Sequence, residues 1–299
     1  MCCTPSLTHE SEVGVAKGRP GPLGFYLASG WLLVCVFTAF FGDFFPLPKW
    51  DEYDYDNLGL PLFSDGHLLG TDYDGSDVLS GLVHGARTSL GISFTAVFIG
   101  SVIGGLLGIV AAYRRGWVDS VVTMYFNVSL AIPTIVLTLV MVALFATPNV
   151  DDPSSGWPRE LVLIISLTLV IIPILGRLAR GSALSWSGRD FVLVAESIGM
   201  KKRSILRTHI IPNVLPSMMS VAFLAAGVVI VIEGGLAILG VGANPGASWG
   251  SMLAKNRGEL AITPHTTLVP AGVIGLTVMA LNYFGDYFRL RIDDRESRI

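Results

Sequence analysis

The sequence predicts an all-α, polytopic membrane protein with six transmembrane helices. Hydrophobic residues make up 52% of its 299 residues and charged residues only 14%, whereas soluble domains carry about a quarter of charged residues. The mean hydropathy is +0.62. Six apolar segments reach, or nearly reach, the length that crosses a hydrocarbon core about 30 Å thick. Their cores are residues 23–41, 88–113, 121–146, 161–176, 214–241 and 266–285.

The first segment, 23–41, is predicted to be an uncleaved span that follows a short tail, residues 1–22. At about 1.5 Å per residue it is roughly 28 Å long, close to the thickness of the hydrocarbon core. It follows Lys17 and Arg19, as a signal peptide would, but its apolar core is longer than that of a signal peptide. No convincing small-x-small cleavage site follows it.

The distribution of basic residues predicts the orientation of the chain. Lys and Arg concentrate on the cytoplasmic side of membrane proteins. Placing the N-terminus in the cytoplasm puts all but five of the 20 Lys and Arg residues on inner segments. The five on outer segments are Lys49, Arg87, Arg159, Lys255 and Arg257. Both tails, 1–22 and 289–299, are therefore predicted to be cytoplasmic, and the connection 42–87 is predicted to be extracytoplasmic.

The outer connection, residues 42–87, is strongly acidic. It contains Asp43, Asp51, Glu52, Asp54, Asp56, Asp65, Asp72, Asp74 and Asp77. One interpretation is a docking or gating surface for an external partner. The other is a solvated loop without a specific role, which is acidic only because Lys and Arg concentrate on the cytoplasmic side of the membrane. Metal binding is not predicted, because the spacing lacks the glycine and the glutamate of a calcium-binding EF-hand loop.

Glycines and prolines mark positions inside the predicted spans. Gly100, Gly104 and Gly108 recur at four-residue intervals in the second span, a pattern that lets another helix approach closely. Packing against a helix of the same subunit is the simpler explanation, and contact with another subunit is the alternative. Pro133 and Pro173 each remove a backbone hydrogen bond and favour a kink. Kinks widen cavities between helices, which makes Pro133 a candidate for a translocation path, although inert bundles also contain them.

Glu233 is the only Asp, Glu, Lys, Arg or His within the six apolar cores. A carboxylate at that depth costs a few kcal/mol on insertion scales, so it is expected to face a cavity, a partner group or a subunit interface. The alternative is a protonated side chain. A role in gating or in packing between subunits is favoured over contact with a substrate. A lone carboxylate is also a poor proton relay.

The chain contains no motif for ATP binding or for catalysis. A G-x-x-x-x-G-K-[ST] phosphate loop and an H-E-x-x-H zinc motif are absent, and the run GASWG at 246–250, which has the spacing of G-x-S-x-G, lacks the preceding strand of a nucleophile elbow. The run GVGANPG at 240–246 lacks the spacing and the preceding strand of a nucleotide-binding loop. We therefore expect no enzymatic activity, no cofactor and no metal on this chain, and nothing predicts a nucleic-acid partner.

The loop at 186–213, between the fourth and fifth spans, has more order than a simple turn needs. Phe191, Ala195 and Ile198 fall on one helical face and Gly199 marks a turn. A second short helix is expected from 201 to 209, with a stop at Pro212. Two short helices joined at a glycine would form a knob that enters a groove on a cytoplasmic partner. A surface-lying amphipathic segment with its basic residues on anionic headgroups is the alternative.

The run GRDFVLVAESIGMKKRSILRTHIIPN resembles the EAA loop of ATP-binding-cassette (ABC) importer permeases. The family pattern is E-A-A, three residues, a glycine, nine residues and I-x-L-P. Gly199 and Pro212 match the glycine and the proline, Leu193 stands where the family places its glutamate, and Glu196 lies one helical turn later. The resemblance implies that the loop docks on an ATPase through Val194, Ala195, Glu196, Ser197, Ile198, Gly199, Ile211 and Pro212.

Two further stretches narrow the resemblance to the dipeptide/oligopeptide/nickel branch of these permeases and to its C-type subunit. HLLGTDYDGSDVLSGLVHGARTSLG at 67–91 is similar to the branch's segment before the second span, with two family arginines replaced by Ser76 and Gly81. EGGLAILGVGANPGASWGSML at 233–253 is similar to the branch's E-x-x-L-x-F-L-G-x-G-x-x-P-P-x-x-S-W-G motif. The resemblance covers about residues 20–290, nearly the whole chain.

The resemblance implies a type I ABC importer permease (MetI-like) fold, with a five-helix core at 88–288, in the plasma membrane of a prokaryote. The implied partners are a second, B-type permease subunit, two cytoplasmic ABC ATPase subunits that bind ATP and Mg, an extracytoplasmic substrate-binding protein and membrane lipids. Peptides are the usual cargo of the branch, and nickel, glutathione and haem are alternatives. The rival classes are a membrane-anchored enzyme and a secondary transporter driven by an ion gradient, which often carries inverted repeats.

Overall fold

The computed structural model describes residues 22–50, 52–147, 156–243 and 248–296. The predicted N-terminal tail lies outside the described residues as far as residue 21, and the C-terminal tail does so from residue 297. Short π-helical turns extend α4 through Val142–Ala146 and separate α7 from α8 at Leu206–Ile210. The α-helices of the described residues are α1 (Pro22–Phe41), α2 (Val78–Arg114), α3 (Gly116–Ala131), α4 (Thr134–Met141), α5 (Arg159–Ser187), α6 (Asp190–Ser197), α7 (Lys202–Ile205), α8 (Ile211–Ile238), α9 (Trp249–Asn256) and α10 (Pro264–Glu296).

Within the described part of the chain, five helices are long and apolar enough to cross a membrane. They are α1, α2, α5, the continuous unit Lys202–Ile238 and α10. A sixth crossing exists if α3 and α4 are counted together, because these two helices are bent by 84° at a short break. The prediction of an all-α, multi-pass membrane protein is confirmed, and the count of six spans holds with the bent pair as one span.

The kink expected at Pro133 is a full break between two helices. α3 ends at Ala131 and α4 begins at Thr134, and the two residues between them are extended, with ψ of 122° at Ile132 and 129° at Pro133. A residue that precedes proline is driven toward the extended region, because the proline ring clashes with a helical backbone. Ile132 therefore leaves the helix, and the chain turns much further than at an ordinary proline kink.

Two helices extend well beyond the predicted apolar cores. α2 starts at Val78 rather than at 88, because Asp77 caps it with a 2.7 Å hydrogen bond accepted from the Ser80 backbone N–H. α5 runs through Pro173 without a break and ends at Ser187. The hydropathy of a segment thus locates a span, whereas capping residues decide where its helix begins.

The prediction that a short helix stops at Pro212 is wrong, because the helix continues into α8. Lys202–Ile238 is one helical unit of 37 residues, and Pro212 lies in the first turn of its α8 part. The π-helical turn Leu206–Ile210 comes directly before it. Such a turn shifts the backbone hydrogen bonds by one position, so a proline that lacks an N–H follows an already irregular turn.

The centre of the fold is the contact between α2 and α5, and α8 packs against both. Buried apolar residues at this centre include Ala96 on α2 and Leu163 and Leu175 on α5. α10 lies along α8. α1 is largely exposed and joins the bundle at α2 and at α10, where the Phe25 ring stacks on Phe284. The outward apolar side chains of α1 suit contact with lipid or with another subunit.

Candidate functional site

The 186–213 loop contains the two short helices and the glycine turn that the sequence predicts. α6 ends at Ser197, and Gly199 follows with a φ of +81°, a conformation that favours glycine. The Gly199 N–H donates to the Glu196 carbonyl at 3.0 Å, and the Met200 N–H donates to the Ala195 carbonyl at 3.1 Å. These two hydrogen bonds form a Schellman ending, so Gly199 both closes α6 and redirects the chain toward α7.

α6 buries one side against the protein and exposes apolar side chains on the other. Val192 and Ala195 are buried. Leu193, Val194 and Ile198 are 54%, 60% and 72% exposed. Three large apolar side chains therefore project from a short, anchored helix that is not itself a membrane span.

The apolar row predicted for this helix, Phe191, Ala195 and Ile198, is divided between the protein interior and the surface. Of the three residues only Ala195 is buried, and Val192 takes the inward position beside it. Ile198 has a φ of −83° and a ψ of 6°, so it follows the last helical turn and no longer obeys the helical periodicity. The loop thus offers more apolar surface to a partner than the predicted amphipathic row would.

The other residues predicted for coupling fall in two places. Glu196 and Ser197 are exposed on α6. Ile211 and Pro212 lie on a different helix, at the start of α8, where Ile211 is half-buried and Pro212 is exposed. The residues predicted for coupling therefore lie on two elements, α6 and the first turn of α8.

Glu233 is buried near the end of α8, with 1% of its surface exposed. Its Oε1 accepts a 2.7 Å hydrogen bond from the Ser248 hydroxyl. Among the described residues its Oε2 has no hydrogen bond of ordinary geometry, and it lies beside Gly250. A β-carbon at Gly250 would stand 2.6 Å from the Gly234 Cα and 2.7 Å from Oε2. The two glycines allow α9 to pack directly over the buried carboxyl group.

Ser248 and Trp249 bond the start of α9 to two transmembrane helices. Ser248 forms a capping box with Ser251, in which each side chain accepts a hydrogen bond from the other residue's backbone N–H. The buried Trp249 donates its backbone N–H to the Ser89 hydroxyl at 3.0 Å and its indole N–H to the Leu82 carbonyl at 2.8 Å. Since both acceptors lie on α2, α9 is tied to α8 through Ser248 and to α2 through Trp249.

Residues 52–77 form a lobe that is bonded to the last turn of α9. Asp72 is 4% exposed and accepts hydrogen bonds from the backbone N–H groups of Asp74 and Ser76. It also accepts a 2.7 Å hydrogen bond from Lys255 Nζ, and Asp74 lies 3.1 Å from the same ammonium group. Asp72 and Lys255 are 183 positions apart, so local sequence patterns carry no signal for this pairing.

The two aspartates control the pKa of Lys255. Burial lowers that pKa, but the hydrogen bonds and the charges of Asp72 and Asp74 outweigh burial, so the pKa lies above its ordinary value of 10.5. Lys255 is therefore charged at neutral pH, and the contact between α9 and the 52–77 lobe is an ion pair.

The glycine stripe on α2 packs against α5 of the same chain. β-carbons at Gly104 and Gly108 would overlap the carbonyl oxygens of Ile172 and Gly176, and Gly100 lies in the same row against α5. The backbones of the two helices are therefore in direct contact, which glycine permits and larger residues prevent.

Pro133 stands apart from these contacts and from Glu233. Pro133 is exposed at the break between α3 and α4, whereas Glu233 is buried on α8. Within the described ranges, no group of three or more His, Cys, Asp or Glu side chains is arranged to hold a metal ion.

The described residues form a helical, multi-pass membrane protein with a buried carboxyl group, a folded lobe at one end of α8 and an apolar-faced loop at the other. Residues 104–298 match the family described as binding-protein-dependent transport system inner membrane component. Because the match spans more than half of the chain, the chain belongs to this family, the permease subunits of ABC importers.

Similar proteins of known name place the chain more narrowly within this family. It is 31% identical to the dipeptide transport system permease protein DppC of Alkalihalophilus pseudofirmus, over 93% of this chain and 87% of that protein. It is 31% identical to the glutathione transport system permease protein GsiD of Pectobacterium atrosepticum, over 89% and 85% of the two chains. The protein of the same name from Escherichia coli is 33% identical, over 88% and 82%. The resemblance to C-type permeases of the dipeptide branch is confirmed.

Solved structures confirm the fold. The MetNI methionine ABC transporter in inward-facing conformations matches with a TM-score of 0.58 and 19% identity, over 71% of this chain and 96% of that chain. An amino acid ABC transporter with histidines matches with a TM-score of 0.53 and 16% identity, over 72% and 93%. At these identities the likeness concerns the fold alone, which is that of a type I importer permease.

Proposed function

We propose that this chain is the C-type permease subunit of an ATP-driven peptide importer and forms half of its translocation path. The names of the relatives support a peptide cargo, because dipeptides and glutathione are both short peptides. Glutathione is the specific alternative within this class. The proposal covers transport only, because the family description and the names of the relatives concern transport.

The proposed assembly contains several other subunits. The family description, which names binding-protein-dependent transport, supports an extracytoplasmic substrate-binding protein as one partner. A second, B-type permease would complete the path. Two ATPase subunits would bind ATP and Mg on the cytoplasmic side, since this chain has no phosphate loop of its own. The distribution of Lys and Arg supports cytoplasmic termini, which puts the 186–213 loop on the ATPase side and the 52–77 lobe outside.

The observation that carries the proposal is the exposed apolar surface of α6. Leu193, Val194 and Ile198 are each more than half exposed, while Val192 and Ala195 anchor the helix to the body of the protein. A cluster of apolar side chains held on a rigid element is typical of a surface that another protein covers. An ATPase subunit is the cytoplasmic partner that an importer of this class requires.

The apolar character of this surface answers the question raised by Leu193, which stands where related loops have a glutamate. Leu193 is exposed, so its contact with the ATPase would be apolar rather than ionic. Glu196 is also exposed, one helical turn after Leu193.

The 52–77 lobe is the proposed contact for the substrate-binding protein. Its turn between Ser64 and His67 holds Phe63 and Leu68 in exposed positions, joined by a 3.0 Å hydrogen bond from the Phe63 N–H to the Leu68 carbonyl. Phe63 has a φ of +64°, which is unusual for an aromatic residue. An apolar tip on an acidic lobe suits a protein partner that offers an apolar socket with a basic rim.

Glu233 and Pro133 receive separate proposed roles. Glu233 is assigned to gating rather than to cargo binding, because it is buried, bonded to Ser248 and covered by Gly250. Pro133 is assigned to the lining of the path, because it is exposed at the 84° break between α3 and α4.

The first test locates the ATPase contact with single-cysteine variants of the assembled transporter. Ile198→Cys, in a chain whose native cysteines are replaced by serine, is expected to cross-link to an ATPase subunit that mass spectrometry identifies. Trp117→Cys is the control, because Trp117 is 77% exposed at the start of α3, outside the loop. Equal cross-linking at both positions, or none at Ile198 while the ATPase is bound, would contradict the assignment of α6.

The second test separates an ATP-driven importer from a transporter driven by an ion gradient. Vesicles that contain the complete assembly are expected to take up labelled peptide only with ATP on the cytoplasmic side, and collapse of the ion gradients is expected to have no effect. A stable, active oligomer of this chain without any ATPase subunit would overturn the proposed function.

A further inference from the structure

α9 is joined by polar contacts at its two ends to different parts of the chain. At its start, Ser248 donates a 2.7 Å hydrogen bond to Glu233 of α8. In its last turn, Lys255 bonds to Asp72 of the 52–77 lobe at 2.7 Å and to Ser76 Oγ at 3.2 Å. The helix has eight residues, so the two contacts are about 10 Å apart along its axis. A single short helix therefore connects the lobe to the end of α8.

The packing of α9 makes it move as one body with the groups at its ends. Trp249, Met252 and Asn256 are buried along the side that faces the bundle. Gly250 lies directly against Gly234, so the backbones of α9 and α8 are in close contact. A displacement of the Lys255 end would therefore be passed to the Ser248 end.

α8 extends this connection to the opposite end of the protein. The helical unit Lys202–Ile238 contains 37 residues and is about 55 Å long. Glu233 lies near its last turn, whereas its first turns adjoin α6 and bury Ile205 and Ile210. One continuous helix thus links the carboxyl group under α9 to the 186–213 loop.

We propose that Lys255 is a positioning residue for transport. It holds α9 on the 52–77 lobe, so that Ser248 keeps Glu233 in place and a displacement of the lobe reaches α8 and the 186–213 loop. This inference rests on the proposed function and assigns the route by which the binding protein and the ATPases communicate. Lys255 touches no cargo and acts through Asp72 and Ser248. Because Asp72 is buried, loss of the lysine charge leaves an uncompensated carboxylate and releases the lobe from α9.

The test measures ATP hydrolysis by the complete transporter in vesicles, with and without peptide-loaded binding protein. Lys255→Met keeps most of the aliphatic stem and removes the charge. We expect stimulation by the loaded binding protein to fall about fivefold or more, the lower end of usual couplings between sites, while unstimulated hydrolysis stays as in the wild type. Lys255→Arg, which keeps the charge, is expected to restore stimulation.

Arg87→Met is the matched control. Arg87 also pairs with an aspartate, Asp43, but both side chains are well exposed and the pair belongs to the start of α2 rather than to α9. Stimulation is expected to be normal in this variant. A loss equal to that of Lys255→Met would show a general effect of charge on this face and would overturn the inference.

A double-mutant cycle with Ser248→Ala tests the route itself. If Lys255 and Ser248 act through the same helix, the loss of stimulation in the double variant is smaller than the product of the two single losses. Independent losses would overturn the proposed route.

The outcomes also separate this inference from the proposed function. Wild-type stimulation in Lys255→Met overturns the inference and leaves the proposed function intact, whereas a wild-type assembly that hydrolyses no ATP overturns the proposed function. If Lys255→Met fails to assemble, Asp74→Asn replaces it, because that carboxylate is exposed and contributes to the same ion pair. A reduced stimulation in Asp74→Asn then supports the inference, and an unchanged one overturns it.

Discussion

The hydroxyl of Ser248 donates a 2.7 Å hydrogen bond to the buried carboxyl group of Glu233, and the same serine caps α9. Glu233→Gln keeps the volume and the acceptor oxygen but removes the carboxyl group. We expect assembly and thermal stability to be unchanged and peptide uptake to fall about tenfold, which corresponds to about 1.4 kcal/mol on the equilibrium of a gate. Uptake into vesicles and melting in detergent measure the two effects separately.

Ser248→Ala is the control for this prediction, because it removes the cap of α9 together with the donor to Glu233. The lost cap is expected to cost about 1 kcal/mol of stability, which Glu233→Gln does not lose. If Glu233→Gln transports peptide and regulates ATP hydrolysis as the wild type does, Glu233 is a packing residue and has no part in the gate.

Gly199→Leu is expected to uncouple ATP hydrolysis from transport. Gly199 has a φ of +81° with open space around it, so a larger residue causes backbone strain of about 1–2 kcal/mol rather than a clash. The strain would change the angle between α6 and α7 and thereby misplace the apolar surface of α6. Membrane insertion and ATP hydrolysis should persist, and uptake should be largely lost.

Gly116→Leu is the matched control for strain at Gly199. Gly116 also has a positive φ, +63°, and open space around it, but it is the first residue of α3, outside the 186–213 loop. A similar loss of uptake in both variants would assign the effect to strain in general, and normal uptake in Gly199→Leu would count against the docking role of the loop.

Gly108→Ala is expected to destabilise the contact between α2 and α5. A β-carbon at Gly108 would overlap the carbonyl oxygen of Gly176, so the two helices must move apart, at a cost of about 1–3 kcal/mol. Gly91→Ala on the same helix is the control, because no atom lies near the added carbon and alanine favours the helix by about 1 kcal/mol. Melting of the purified protein in detergent checks both. A Gly108→Ala variant as stable as the wild type would contradict the close packing.

Signals that depend on neighbouring residues predicted much of this structure. Hydropathy located the spans because the membrane acts on each segment separately. Gly199 predicted the turn in the 186–213 loop, since a Schellman ending needs a positive φ at that position. The stripe of Gly104 and Gly108 indicated close helix packing before its partner, α5, was known.

Features that depend on tertiary packing could not be predicted in the same way. Pro133 indicated a bend, but the 84° angle between α3 and α4 depends on how both helices pack. Pro212 indicated a stop, yet a π-helical turn before it lets the helix continue. The contact between Asp72 and Lys255 joins residues 183 positions apart, and only the folded chain brings them together.

The ion pair of Lys255 predicts how stability responds to alkaline pH. Burial lowers the pKa of Lys255, but Asp72 and Asp74 raise it more, so the folded protein holds this proton above the ordinary value of 10.5. The stabilisation is therefore complete below about pH 10.4 and is lost as the pH rises through the folded pKa. We expect Lys255→Met to melt at a lower temperature than the wild type at neutral pH. The melting temperatures of the two proteins are expected to converge at pH values above the folded pKa of Lys255. The difference in melting temperature between Arg87→Met and the wild type should stay constant as the pH rises, because arginine does not titrate in this range. A difference between Lys255→Met and the wild type that stays constant to the highest pH would contradict the ion pair.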